Sequence, residues 1–262
     1  MPKALPHQVT GVESLSVFFP CYNDAGTIAS LIFIARSVCK EIGAEFEIIV
    51  IDDGSTDGSR ELLADLEESI PELRVILHEA NRGYGGALRT GISAASKDWV
   101  FYTDGDYQYD VRELALLVEQ ASDEIDWVQG YKIARQDPLH RKLIGRLYHH
   151  SVARIFGLRM RDTDCDFRLM RRSLLDKVEL RHDSGVICVE MMRSFQDVGG
   201  RFVEVPVHHH FRAYGKSQFF NVSRIASVGH DLAKLWWRLV VRREIAKSMR
   251  TQGSPAENSG VA

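Results

Sequence analysis

The run Trp99-Val100-Phe101-Tyr102-Thr103 ends in Asp104-Gly105-Asp106, two carboxylates separated by one glycine, and Gln108 follows shortly after. Acidic groups this close repel each other and lose solvation unless a cation lies between them. Carboxylate and amide oxygens are the hard ligands that Mg²⁺ or Mn²⁺ prefers, and such an ion usually keeps waters and takes further ligands from phosphate. If the chain stays extended past Thr103, residues 104, 106 and 108 point the same way and their oxygens converge on one ion. The spacing therefore points to a metal–diphosphate site at the end of a strand. On these residues alone the alternative is a surface turn, because Asp and Gly favour turns.

The elements that would position these groups read as alternating strands and helices. Apolar runs over 15–19 (stopped by Pro20), 46–51, 73–77, 99–103 and 127–129 read as strands. Helical patterns fill 28–41, 59–66, 87–95 and 111–120. Continuous apolar runs mark strands covered on both faces. Their alternation with helices through short polar loops predicts a mostly parallel α/β sheet with helices on both faces. Such sheets bind ligands at the carboxyl ends of their strands. Acidic residues stand at several of those ends: Asp24 after the first strand, Asp52 and Asp53 after the second, Asp104 and Asp106 after the fourth. Beyond residue 130 helices are expected over 142–156, 186–198 and 221–247, with strands after 161 and over 202–207. The predicted organisation is an N-terminal extension (1–13), one domain (14–220), an amphipathic C-terminal helix (221–247) and a disordered tail (248–262).

Bulk properties narrow the class. The 262 residues are 45% hydrophobic and 26% charged, ordinary for a soluble globular chain. A net charge of -3 gives no global attraction to nucleic acid. Cys21, Cys39, Cys165 and Cys188 show no paired spacing, which favours reduced thiols in a cytosolic setting over disulfides or a zinc site. The N-terminus lacks a signal-peptide core, and no run approaches the roughly 18 apolar residues of a spanning helix.

Several strings, in this order, resemble the family 2 glycosyltransferases of GT-A fold, and within them the polyprenyl-phosphate, dolichol-phosphate mannose synthase-like branch. They are Phe19-Pro20-Cys21-Tyr22-Asn23-Asp24, Ile51-Asp52-Asp53-Gly54-Ser55-Thr56-Asp57, Asn81-Arg82-Gly83-Tyr84-Gly85-Gly86-Ala87 and Asp104-Gly105-Asp106-Tyr107-Gln108. Gly130 to Asp137, Asp164-Cys165-Asp166-Phe167-Arg168, Val205-Pro206-Val207 and Arg212 to Ser217 continue the match. The chain departs from the family pattern at Asp24, where Glu is usual, and at Gly105, where Ala is usual. Many relatives also carry C-terminal membrane-spanning helices, which this sequence does not.

The resemblance implies that Pro20, Tyr22, Asp24 and Asp53 line a nucleotide pocket, with Asp104, Gly105, Asp106 and Arg135 contacting the nucleotide sugar. The residue chemistry agrees: carboxylates accept from base N–H and ribose hydroxyls, and Tyr22 can pack on a base. For Asp53 the alternative is a carboxylate at a helix N-terminal turn. Asp57 is the better candidate for a structural cap. Asp104, Asp106 and Gln108 form the proposed Mg²⁺ or Mn²⁺ set; a solvated loop amide is the alternative for Gln108. Arg135 could clamp phosphate through its guanidinium, or stand as a surface arginine. Arg212 and Lys216, flanking Gly215, read as a loop that closes over the phosphates, or as an ordinary basic loop.

Transfer to a sugar hydroxyl needs a general base. The strings that carry one in hydroxyl-acceptor relatives are missing here. A phosphate monoester, with a second pKa near about 6, is already largely dianionic and attacks without one. Asp162, Asp164, Asp166 and Glu190 remain possible bases, while His182 and His208-His209-His210 read as structural. In the last helix Val222, Ile225, Val228, Leu232, Leu235, Trp236 and Leu239 share helical spacing, beside Arg224, Lys234, Arg238, Arg242, Arg243 and Lys247. That pattern suits a lipid interface, or an apolar stripe packed on the core. The expected function is metal-dependent inverting transfer of a hexose from a GDP- or UDP-linked sugar to a polyprenyl phosphate, at the cytoplasmic membrane face. The alternatives are transfer to a glycan or small-molecule hydroxyl, and nucleotide-sugar binding without turnover.

Overall fold

The computed structural model describes residues 11–133, 139–211 and 222–245, excepting the side chains of 139–144 and 222–226. The chain runs β1 (Ser14–Cys21), α1 (Ile28–Ile42), β2 (Glu45–Asp52), α2 (Ser59–Ser69), β3 (Leu73–Leu77), α3 (Gly83–Ala94) and β4 (Trp99–Thr103). A 3₁₀ turn (Val111–Glu113) leads into α4 (Leu114–Val118), β5 (Trp127–Ile133), α5 (Leu139–Phe156) and β6 (Phe167–Arg171). Then come α6 (Arg172–Leu175), α7 (Ile187–Asp197), β7 (Phe202–His208) and α8 (Val222–Trp236), closed by a π-helical turn (Trp237–Val241).

All described strands join one 7-stranded sheet in the order β3-β2-β1-β4-β6-β5-β7. β1 pairs in parallel with β2 and β4, and β2 with β3. β6 is antiparallel to both β4 and β5, while β5 and β7 are parallel. The apolar strand runs have the cause inferred for them: alternate residues enter different cores. Leu15, Val17, Ile48, Val50 and Phe101 pack on one face with α1, α2 and α4. Phe18, Ile49, Ile51, Val100 and Tyr102 pack on the other with α3, α5, α7 and α8.

Two topological features build the site. Chain order runs outward from β1 through β2 to β3, then returns to β4 on the other side of β1. This is a switch point, where loops diverge and leave a crevice. Because β6 runs against β4, with Phe167 opposite Thr103, the segment leading into β6 arrives at the carboxyl end of β4.

Several element bounds differ from the sequence expectation. β1 continues through Pro20 to Cys21. Cys21 O accepts from Asp53 N, toward β2, so Pro20 faces the β4 side, where pairing ends with Phe18 opposite Tyr102. Its missing N–H therefore breaks no ladder bond. α3 begins at Gly83 rather than 87, because its glycines pack against residues 182 and 183 and serve in the first turn. The expected 111–120 helix is a 3₁₀ turn followed by the short α4.

The expected 221–247 helix gives way after Trp236 to the π-helical turn. Leu235 and Leu239 are buried, with Val228, Leu232 and Val240 packed on the same core cluster. From Val228 to Leu239 the apolar stripe thus serves the core, except for Trp236, which stays exposed with Trp237 and Val241. Among the described residues no helix is long and apolar enough to cross a membrane. All four cysteines are free and buried, and burial holds the Cys21, Cys39 and Cys165 thiols up at about 12. Those three thiols are protonated and unreactive near neutrality.

Candidate active site

Side chains and backbone cross-link the loops after β1, β2 and β4. Asn23, with φ 59, donates its N–H to Ser55 Oγ at 2.9 Å, and its Oδ1 accepts from Thr56 N at 2.8 Å. Asp24 Oδ2 accepts from Tyr22 N at 3.2 Å, and Asp24 O accepts from Thr27 N and Ile28 N to open α1. Thr27 Oγ1 donates to Gly105 O at 2.7 Å, tying the β1 loop to the β4 loop. A Cβ on Gly105 would lie 2.7 Å from Pro20 O and 3.1 Å from Asp24 Oδ2. The two departures from the family pattern therefore face each other: the short Asp24 and the bare Gly105 let the β1 and β4 loops close together. Tyr22 stands beside them, 41% exposed.

The β2 corner separates two adjacent aspartates by role. Asp52 is fully buried; its Oδ1 accepts from Arg60 Nε at 2.7 Å and from Gly54 N and Ser55 N. It builds the turn. Asp53 uses Oδ1 to accept from Arg82 N at 2.8 Å and meets His78 Nδ1 at 2.7 Å. Asp57 Oδ1 accepts from Ser59 N at 3.1 Å, but the N-cap position of α2 is Gly58, so Asp57 ties the turn ahead of the helix rather than capping it as expected.

At β4 the extended geometry expected for 104, 106 and 108 does not occur. The strand ends at Thr103 and the backbone turns, with Tyr107 at φ 60 and Gln108 N donating to Asp106 Oδ1 at 3.0 Å. The alternation argument fails because it holds only for unbroken strand. Gln108 is drawn aside: its Nε2 donates to His210 O at 3.2 Å, and its O accepts from His210 N at 2.8 Å. Asp104 and Asp106 remain at the tip, Asp106 only 4% exposed.

Their surroundings are acidic. Burial, then Asp166 and Asp106, push the Asp104 carboxyl well above the usual carboxylate range, and Asp24 adds to the effect. The Tyr84 hydroxyl donates to Asp104 Oδ1 at 2.7 Å and opposes that rise only in part. Asp166 is held by Arg168 Nη2 at 3.3 Å, by the Tyr102 hydroxyl at 3.3 Å and by the Cys188 thiol at 3.2 Å. Arg168, fully enclosed, also donates to Gln129 Oε1 at 2.9 Å and to the Tyr102 hydroxyl. Among the described residues no three His, Cys, Asp or Glu side chains form a group able to hold an ion. The donor set fits an ion that takes two carboxylates and completes its shell with water and phosphate, as Mg²⁺ commonly does.

Arg135, Arg212 and Lys216 lie outside the described residues. Of the possible bases, Glu190 is saturated: it accepts from Arg181 N, His182 N, His182 Nδ1 and Arg238 Nη2. Asp162 pairs with Lys132 Nζ at 3.7 Å, and Asp166 is held as above. Among the described residues Asp164 shows no such side-chain partner. The histidines are structural as read: His208 bonds Glu113, and His209 packs on Tyr109. Sequence reasoning passed over His78, Tyr84 and the partners of Arg168. The signal for His78 was its place immediately after β3, the strand end to which no chemistry had been given.

A family model described as "Glycosyl transferase family 2" matches residues 16–179. The undecaprenyl-phosphate 4-deoxy-4-formamido-L-arabinose transferase of Enterobacter sp. (strain 638) is 30% identical over 227 residues, spanning 86% of this chain and 68% of that protein. The chain belongs to glycosyl transferase family 2. As a family 2 glycosyltransferase it also shares its fold with glucosyl-3-phosphoglycerate synthase of Mycobacterium tuberculosis. The complex of that enzyme with Mn²⁺, UDP and glucosyl-3-phosphoglycerate superposes with TM-score 0.65 at 20% identity, covering 86% of this chain and 79% of that one. Its complex with Mg²⁺ and UDP gives TM-score 0.65 at 19% identity, covering 86% and 78%. The fold and the enzyme class implied by the motifs are both borne out in this glycosyltransferase.

Proposed function

We propose that this glycosyltransferase moves a hexose, with inversion, from a UDP- or GDP-linked sugar to a polyprenyl phosphate. The observation that carries the reading is the acidic tip of β4, where Asp166, Asp106 and Asp24 crowd the buried Asp104 carboxyl at the switch point. Pro20, Tyr22, Asp24 and Asp53 line the donor side, with Asp53 accepting from the base or ribose. Asp104 and Asp106 hold Mg²⁺ or Mn²⁺, with Gln108 as a further candidate ligand; the ion supplies Lewis-acid neutralisation of the departing diphosphate. Arg135, Arg212 and Lys216 bind phosphate charge. The relative active on undecaprenyl phosphate supports a lipid-phosphate acceptor. So does the state of the acidic side chains, since Glu190, Asp162 and Asp166 are engaged by partners and a phosphate nucleophile needs none of them.

The exposed Trp236, Trp237 and Val241, beside exposed Lys234, Arg242 and Arg243, form the membrane contact in this reading, on the cytoplasmic face. The test is a donor screen with undecaprenyl or dolichyl phosphate, with and without Mn²⁺, scoring acid-labile lipid-linked sugar. Asp106→Ala should lower divalent-dependent turnover by roughly a thousandfold while the protein stays folded. Full activity of that variant in excess chelator would defeat the proposal. Loss of transfer in Asp164→Asn, with a hydroxyl acceptor preferred over the phosphate, would favour a base-assisted reaction instead.

A further inference from the structure

The buried pair at the β2 corner points to a role for His78 in donor recognition. His78 is 3% exposed, and both ring nitrogens are engaged: Nδ1 with Asp53 Oδ1 at 2.7 Å, Nε2 with Thr90 Oγ1 at 2.9 Å. The Thr90 hydroxyl has one proton, and Oγ1 donates it to Gly86 O at 3.0 Å, one helical turn back in α3. Oγ1 therefore meets His78 Nε2 as an acceptor, so Nε2 carries hydrogen. On its other side the ring meets the Asp53 carboxylate, which can only accept from it, so the His78 contact fixes Oδ1 in place.

The other charged groups of this corner are already committed. Arg60 Nε bonds Asp52 Oδ1 at 2.7 Å, and Arg60 Nη2 donates to His78 O. Arg82 N donates to Asp53 Oδ1 at 2.8 Å, so this one oxygen takes both protein donors. Among the described residues nothing donates to Asp53 Oδ2. The carboxylate is thus fixed at one end and open at the other.

We propose that His78 is a positioning residue for the nucleoside of the donor: it fixes Asp53 by Oδ1 and so turns Oδ2 into the pocket to accept from a base N–H or ribose hydroxyl. The inference rests on the donor-side reading above. Without His78, Asp53 would keep only the Arg82 N–H and could rotate, which removes the oriented acceptor.

Two near-isosteres separate this role from simple packing. In His78→Asn the amide N–H falls where Nδ1–H stood, and the link to Asp53 survives. In His78→Gln the amide reaches the Nε2 position beside Thr90, filling more of the space but losing Asp53. Each variant is titrated calorimetrically with UDP and with GDP, and assayed for KM and kcat with the sugar donor carrying whichever base binds. His78→Asn should stay within about threefold of the wild-type Kd, while His78→Gln should weaken it by about tenfold or more. KM should rise with kcat unchanged at saturating donor, because the contact is uniform between ground and transition states. Wild-type affinity in His78→Gln, or a loss of affinity in His78→Asn as large as that in His78→Gln, would overturn the role of His78 and leave the donor site standing. A wild-type protein that binds neither UDP nor GDP would take down the donor site itself.

Discussion

Asp53 and Asp104 follow two strands of one sheet, and their surroundings complete them in opposite ways. Asp53 is matched inside the protein by the His78 ring and the Arg82 N–H. Among the described residues Asp104 accepts from the Tyr84 hydroxyl, while Asp166, Asp106 and Asp24 crowd it. A carboxylate bonded at one oxygen and open at the other suits hydrogen-bond recognition of an uncharged group such as a base or ribose. A cluster left acidic carries an electrostatic cost that a divalent cation relieves. The same residue type thus reads the nucleoside at one strand end and holds the ion for the diphosphate at the other, and the sheet sets the distance between the tasks.

The largest expected effect falls on the matched side. Asp53→Ala leaves the buried His78 ring without its carboxylate and the Arg82 N–H without an acceptor. Breaking a buried pair from one side costs on the order of 3 kcal/mol, so the thermal midpoint in chelator should fall by several degrees. An unchanged midpoint would mean that the pair is not load-matched as described, and the contrast between the corners would lose its first half.

Next in size is the contact that joins the β1 loop to the acidic corner. Gly105→Ala places a methyl 2.7 Å from Pro20 O, a backbone atom that cannot swing aside, and 3.1 Å from Asp24 Oδ2. Overpacking of this kind should cost about 2 kcal/mol, with a KM for the nucleotide sugar raised along with the lower midpoint. Relatives with Ala at this position need a longer reach from the β1 loop, so Asp24→Glu added to Gly105→Ala should recover part of both losses. Recovery in neither quantity would show that the two positions are independent.

How far the residues alone foretold this arrangement depends on what each inference used. Hydrophobic runs located β4 to the residue, because a strand buried on both faces must be apolar throughout; β3 has the expected bounds although Arg74 and Leu77 stay exposed at the sheet edge. Strand-end acids located the site because parallel sheets collect loops there. The path after Thr103 was not readable: a residue at positive φ such as Tyr107 leaves no mark in composition, and that turn drew Gln108 toward His210. Nor was the membership of the acidic cluster, since Asp166 arrives only because β6 runs antiparallel to β4. In the C-terminal helix periodicity identified the stripe but not its partner; Leu235 and Leu239 turned out to face the core. Pairing across the sheet, as between His78 and Asp53, is a contact of distant segments and carries no local signal.

The smallest effect is also the one that best separates the two corners, because its sign is unusual. Asp104→Asn removes a charge from a cluster that repels itself, so in chelator the variant should melt higher than the wild type, by about 3 °C, the shift expected of about 1 kcal/mol in a chain of this size. The pH dependence follows from the direction of the shift. Burial and the neighbouring acids raise the Asp104 carboxyl in the folded state, so the folded protein holds that proton more tightly than the unfolded chain does. Stability is then lost as pH climbs from the unfolded value, about 3.9, through the higher folded one. The midpoint advantage of Asp104→Asn over wild type should therefore grow with pH across that interval and level off above it. Adding Mn²⁺ with UDP or GDP should reverse the order, because only the wild type gains the full binding energy. Asp53→Asn offers the counter-experiment: in chelator at neutral pH it should lower the midpoint, since it weakens an acceptor that the His78 ring and the Arg82 N–H both use. Two variants of the same chemistry that moved the midpoint in the same direction would mean that a shared strand-end environment, and not its completion by neighbours, governs both aspartates.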